Sequence, residues 1–152
     1  MNTRQLDRAD ERISQVMRWL GDPVLRVGLG VVFVWFGLLK PLGVSPAAQL
    51  VADTVYWGVD PDWFIPFLGW WEVVIGVCLI DPGRWFGLGR RMTRIGILLM
   101  FLQMPGTFLP LVLLPDVTWQ SFGVPTLEGQ YIIKNLVLIG AALYLGGRVR
   151  ER

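Results

Sequence analysis

Four apolar stretches of this chain are separated by connections that alternate strictly between carrying arginine and carrying no basic residue at all. A helix needs ~20 mostly apolar residues to cross a bilayer, and residues 24–42, 64–80, 95–114 and 131–147 come close to that length. Ahead of the first lie Arg4, Arg8, Arg12, Arg18 and Arg26, whereas residues 41–63 hold only Asp53, Asp60 and Asp62. The next connection carries Arg84, Arg90, Arg91 and Arg94; residues 115–130 again have no Lys or Arg; the tail has Arg148, Arg150 and Arg152. Basic residues gather on the cytoplasmic side of membrane helices, so both termini and the loop around Arg90 are predicted to be cytoplasmic.

Composition agrees with a membrane chain. Of 152 residues 53% are hydrophobic and only 17% charged, against about a quarter charged in a soluble domain. The predicted fold is therefore all-α: an integral membrane four-helix bundle over residues 21–147, with a cytoplasmic tail at 148–152. Residues 1–20 place Leu6, Ala9, Ile13, Val16, Met17 and Leu20 at helical spacing among charges, which predicts an amphipathic helix lying on the cytoplasmic surface. No small-residue cleavage site follows the first apolar run, so that run reads as a retained span. The net charge of +2 follows from this arrangement and points to the lipid bilayer as partner, not to nucleic acid.

Details at the span ends refine the picture. Only Val27 to Leu39 of the first span is wholly uncharged, so Arg26 and Lys40 are expected to snorkel toward the interface. Asp81-Pro82-Gly83 stops the second span. The third contains Pro105 and Pro110 and should be bent or broken, with Thr107 placed to satisfy a carbonyl that proline frees. In the first outer loop, Ser45-Pro46 reads as a helix start, giving a short helix over residues 47–57.

The absences exclude whole classes of chemistry. There is no histidine, which removes His-ligated haem, His-bound zinc and His acid–base relays. The lone Cys78 removes Cys-x-x-Cys redox pairs and any disulfide within the chain, and in apolar surroundings it reads as packing. No metal site is expected, and no cofactor is held by the chain's own side chains.

Helices in lipid associate through small residues, and here these recur at seven-residue intervals: Gly30 and Gly37, Gly69 and Gly76, Gly140 and Gly147, with Gly96 seven before Gln103. Polar residues fall near the same faces. Lys40 follows Gly37 by three, Glu72 follows Gly69 by three, Gln103 and Thr107 are four apart, and Lys134 and Asn135 precede Ala141 and Ala142 by seven. Ionisable residues in membranes face the interior and find partners. Glu72 lies ~12 Å below Phe64 along its helix, within reach of Lys40 or Lys134. The predicted site is an outer-half polar pocket built from Lys40, Glu72, Gln103, Thr107, Lys134 and Asn135. Two readings of it stay open: a buried ion pair that fixes helix register, and a ligand site in which two lysines against one carboxylate attract an anion. Trp63, Trp70, Trp71 and Trp119 fall near the outer boundary, where aromatic belts are common.

The order Arg26-x-Gly28, Trp35-Phe36-Gly37-x-x-Lys40, Gly69-Trp70-Trp71-Glu72-x-x-x-Gly76, Gln103-Met104-Pro105-Gly106-Thr107, Lys134-Asn135-Leu136 resembles the DoxX-like family of small four-helix membrane proteins. Relatives there include subunits of thiosulfate:quinone oxidoreductase and the reactive chlorine resistance protein C group. The resemblance spans residues 24–145 and implies redox biology at the bacterial inner membrane. It makes the polar pocket, lined by Trp35, Trp70 and Trp71, a candidate quinone site, and the chain a quinone-linked subunit or quinone-binding module of a membrane oxidoreductase, partnered by other membrane subunits or by copies of itself. The alternative is a non-catalytic accessory subunit of a larger membrane complex. A small transporter is the third class, and no inverted repeat speaks for it.

Overall fold

A computed structural model describes residues 3–55, 58–80 and 89–149. Its long elements are α1 (Thr3–Leu39), α3 (Pro61–Ile80), α4 (Gly89–Phe108) and α7 (Leu127–Arg148), with α2 (Ala48–Val55) between the first two. Two four-residue helices, α5 (Pro110–Leu113) and α6 (Pro115–Thr118), and a hairpin of β1 (Trp119–Ser121) with β2 (Val124–Pro125) separate α4 from α7. Four helical segments are long and apolar enough to cross a membrane: Leu6–Leu39, Pro61–Ile80, Gly89–Leu113 and Leu127–Arg148. The molecule is an all-α, multi-pass membrane protein.

The first helix departs from expectation. Instead of a separate surface helix followed by a span, α1 runs unbroken for 37 residues through Pro23, a length of ~55 Å. Proline removes one hydrogen bond to the residue four back, here Trp19, and the remaining helical bonds carry the chain past it. The helix ends at Leu39, with a turn through Gly43 in the left-handed region (φ 72°).

The third span runs through Pro105 and breaks just before Pro110. The Gly106 carbonyl would accept from the N–H of residue 110, but Pro110 has none; the Leu109 N–H donates to that carbonyl instead, at 3.2 Å, and the chain restarts as α5. Thr107 does not satisfy the carbonyl that either proline frees. Its hydroxyl donates to the Met104 carbonyl at 2.7 Å, one turn back on its own helix. The Asp81-Pro82-Gly83 stop and the end of the outer-loop helix, Tyr56-Trp57, lie outside the described residues.

The hairpin was not anticipated. Gly123 takes φ 75° at its turn, leaving Phe122 fully exposed at the tip. Thr126 fastens it to α7: its hydroxyl donates to the Val117 carbonyl at 2.7 Å and accepts from the Gly129 N–H at 3.1 Å as the helix N-cap. The Trp119 indole donates to the Leu111 carbonyl at 3.0 Å, so the hairpin also holds α5.

Each spanning helix packs on the next in chain order, and α7 returns to α1. The core runs through Leu29, Phe33, Ile75, Leu79, Ile97, Met100, Met104, Ala142 and Leu145. The seam between α1 and α3 is the tightest. A Cβ on Gly37 would lie 2.7 Å from the Gly69 carbonyl oxygen, and one on Gly69 2.6 Å from that of Gly37. Only glycine permits this approach. Gly96 likewise abuts Cys78 and Ile75, whereas Gly140 and Gly147 face open space, so the predicted glycine face of the last helix is not a contact face.

Candidate functional site

The α1/α3 seam decides where the polar residues go. Lys40 follows Gly37 by just under one turn and Glu72 follows Gly69 by the same interval, so the two antiparallel helices bring both side chains to one face at one level. Lys40 Nζ donates to Glu72 Oε2 at 2.5 Å. Lys40 therefore does not snorkel outward; its head turns in, and the two side chains are only 7% and 12% exposed. From α4, Gln103 Nε2 donates to the other carboxylate oxygen, Glu72 Oε1, at 2.7 Å.

The cluster is thus one cation, one anion and one amide from three helices. Both carboxylate oxygens are occupied, while Gln103 Oε1 is buried with no hydrogen-bond partner. A buried acceptor left unmet costs roughly 1–3 kcal/mol. Lys40 has three donors, and Glu72 takes one of them.

Two of the remaining predicted members, Thr107 and Lys134, make their contacts elsewhere. Thr107, one turn beyond Gln103 on α4, is committed to the Met104 carbonyl. Lys134 is exposed on α7, its ammonium 5.0 Å from the centroid of the Tyr131 ring. Asn135 is half-buried on the same helix. The residues that α7 buries in its spanning part are Ile132, Ala142 and Leu145, and Lys134, two positions from Ile132, points some 200° away from it. Within the cluster, then, the count is one lysine to one carboxylate.

The tryptophans follow the same geometry. Trp35 lies two residues before Gly37, and Trp70 two before Glu72, so both face outward and are exposed. Trp71 is half-buried, its indole N–H donating to the Leu99 carbonyl at 3.3 Å, which ties α3 to α4 one turn from Gln103. Cys78 is buried in the core.

A second polar cluster, absent from the sequence reading, lies at the arginine-bearing end. Arg148 Nη1 donates to Asp22 Oδ1 at 3.2 Å and to the Tyr144 hydroxyl at 2.7 Å, linking the last turn of α7 to the middle of α1. Asp22 beside Pro23 reads as a turn in sequence, and nothing local signals a partner on the fourth span. Among the described residues no group of acidic or cysteine side chains could hold a metal ion. Comparison with models of known families, with curated proteins and with solved structures gives no match.

Proposed function

We propose that this chain is a DoxX-like subunit of a quinone-linked redox complex in the bacterial inner membrane, both termini cytoplasmic, with the Lys40–Glu72–Gln103 cluster as its quinone-binding position. The observation that supports this reading is the composition of the cluster: a buried cation with donors to spare beside a buried amide oxygen, Gln103 Oε1, that lacks one. A quinone ring presents carbonyl acceptors when oxidised and hydroxyl donors when reduced. Lys40 Nζ would hold the first and Gln103 Oε1 the second, so both redox forms would find a partner in the same place. Glu72 would keep Lys40 oriented and provide a carboxylate beside the ring oxygens for proton transfer. The quinone supplies the electron chemistry, since the chain has no histidine and a single cysteine.

A photoreactive short-chain benzoquinone, applied to the reconstituted protein, tests this. Labelling should map to α1, α3 and α4 around these residues and fall about tenfold or more in Glu72→Gln, the worth of one charge-assisted hydrogen bond. Unchanged labelling in a folded Glu72→Gln protein refutes the site.

One observation favours a second reading. The charges of the cluster balance and its members are bonded to one another, as suits an ion pair that fixes helix register in a non-catalytic accessory subunit. Mild extraction would then recover a stable hetero-complex with no quinone on this chain.

A further inference from the structure

The residues that α1 turns toward α3 follow an alternation of three and four: Gly30 and Val34 meet Gly76, and Gly37 meets Gly69. Counted back, the same alternation passes Val27 and Pro23 and reaches Leu20, Val16, Ile13, Ala9 and Leu6. All five of these last are exposed. The described part of α3 ends at Ile80, level with Gly30, and α7 ends at Arg148, which meets Asp22. Residues 3–21 therefore project about 27 Å past both, at ~1.5 Å per residue. We propose that this projecting seam pairs with the same segment of a second copy of the chain, as a parallel two-stranded coiled coil.

Apolar residues at alternating intervals of three and four occupy the a and d positions of a heptad, the pattern that winds one helix about another. Because α1 already uses that alternation against α3, the open seam continues an interface the fold has built. A lipid surface suits the segment less. Over residues 6–20, Arg8, Arg12 and Arg18 are balanced by Asp7, Asp10 and Glu11, whereas helices that lie on a membrane carry a basic polar face. The helix is also unbroken from the span, so the segment continues the line of that span.

The flanking charges select the partner and its direction. With Leu6 at an a position, Asp10 and Met17 fall at e, and Arg12 and Trp19 fall at g. In a parallel pair the e edge of one helix lies along the g edge of the other, so the acidic edge meets the basic one. An antiparallel pair would set each edge against itself. Two copies inserted in one membrane with one topology are parallel by necessity, so charge and topology agree on a second copy. Two heptads make a short coil, but a shared bilayer raises the effective concentration of the partner, and the spans deliver both helices already formed. The seam drifts ~20° per heptad on a straight helix, and helices bend at proline. Both features let the copies converge beyond Pro23 while each α1 keeps α3 inside its own bundle. The inference is independent of the quinone reading, since it uses no residue of that cluster.

The test uses the full chain reconstituted in liposomes, with Cys78→Ala so that one introduced thiol reports. Ala9→Cys and Val16→Cys put that thiol at d positions in the seam; Glu11→Cys and Arg18→Cys put it at f positions on the opposite side. Under a membrane-permeant oxidant the first two should form a disulfide-linked dimer about tenfold faster than the last two, because only d positions of a parallel pair come within bridging distance. Ile13→Asp, added to Val16→Cys, should slow linkage to the rate of the f positions. Ile13 is exposed, so the unfolding midpoint of the bundle should stay where it was, which separates lost pairing from lost folding. Equal rates at all four positions overturn the proposal. So does the absence of linkage at Ala9→Cys and Val16→Cys, the result expected if a foreign subunit or a lipid surface covers the seam.

Discussion

Gly30 and Gly76 face each other across the α1/α3 seam with room for no side chain on either: a Cβ on Gly30 would lie 2.8 Å from the Gly76 carbonyl oxygen, and one on Gly76 2.5 Å from that of Gly30. Seven residues along each helix, Gly37 and Gly69 repeat the arrangement. The obstructing atoms are backbone, which cannot rotate out of the way. Gly76→Ala should therefore cost about 1–3 kcal/mol through overpacking, read as a lower unfolding midpoint in detergent. Gly28→Ala and Gly140→Ala meet nothing within 4 Å and should be neutral or gain about 0.5–1 kcal/mol from helix propensity. Equal effects at all three positions would contradict the seam.

The ion pair is testable by a cycle. Glu72→Leu or Lys40→Met alone leaves a buried charge without its counter-ion, a loss of about 3–5 kcal/mol. Combining Lys40→Met with Glu72→Leu removes both charges and should recover most of it, giving a strong coupling energy. Additive losses would mean that the two side chains do not share an environment.

Thr126 makes two hydrogen bonds that matter to different elements, one to the Val117 carbonyl and one from the Gly129 N–H. Thr126→Ala should cost about 0.5–2 kcal/mol as a lost N-cap. It should also speed proteolysis between α6 and α7, while Thr126→Ser retains both bonds. Cleavage rates of the three proteins in detergent decide this.

Cys78 is free and buried, with Gly96 packed against its Cβ. A membrane-permeant maleimide should modify it slowly in the folded protein and completely after denaturation in SDS. Gly96→Val, by displacing that contact, should open it to the reagent. Rapid labelling of the native protein would place Cys78 at an accessible surface.

Much of this arrangement was legible in sequence, and the reasons differ by element. Spans show because a bilayer demands about 20 apolar residues in a row, a signal that hairpins and four-residue helices never produce. Lys40, Glu72 and Gln103 could be grouped because glycine-marked faces fix the direction of a side chain three or seven residues away. The same logic misplaced Lys134: it took Gly140 and Gly147 for a packing face, whereas α7 packs through Ile132, Ala142 and Leu145. The continuity of α1 was hidden because proline lowers helix propensity locally, yet one missing bond is a small loss within 37 residues. Asp22 and Arg148 are 126 positions apart, and such pairs follow from tertiary closure alone.

That last pair has a mechanical meaning. Helices laid side by side in chain order form an open file, free to splay at its two ends. At the arginine-bearing rim Asp22 and Arg148 act as a clasp that turns the file into a loop. Because Asp22 stands one residue before Pro23, where α1 is a bond short, a load on the projecting first half of α1 is passed across the clasp to the last helix of the chain and shared by the whole ring.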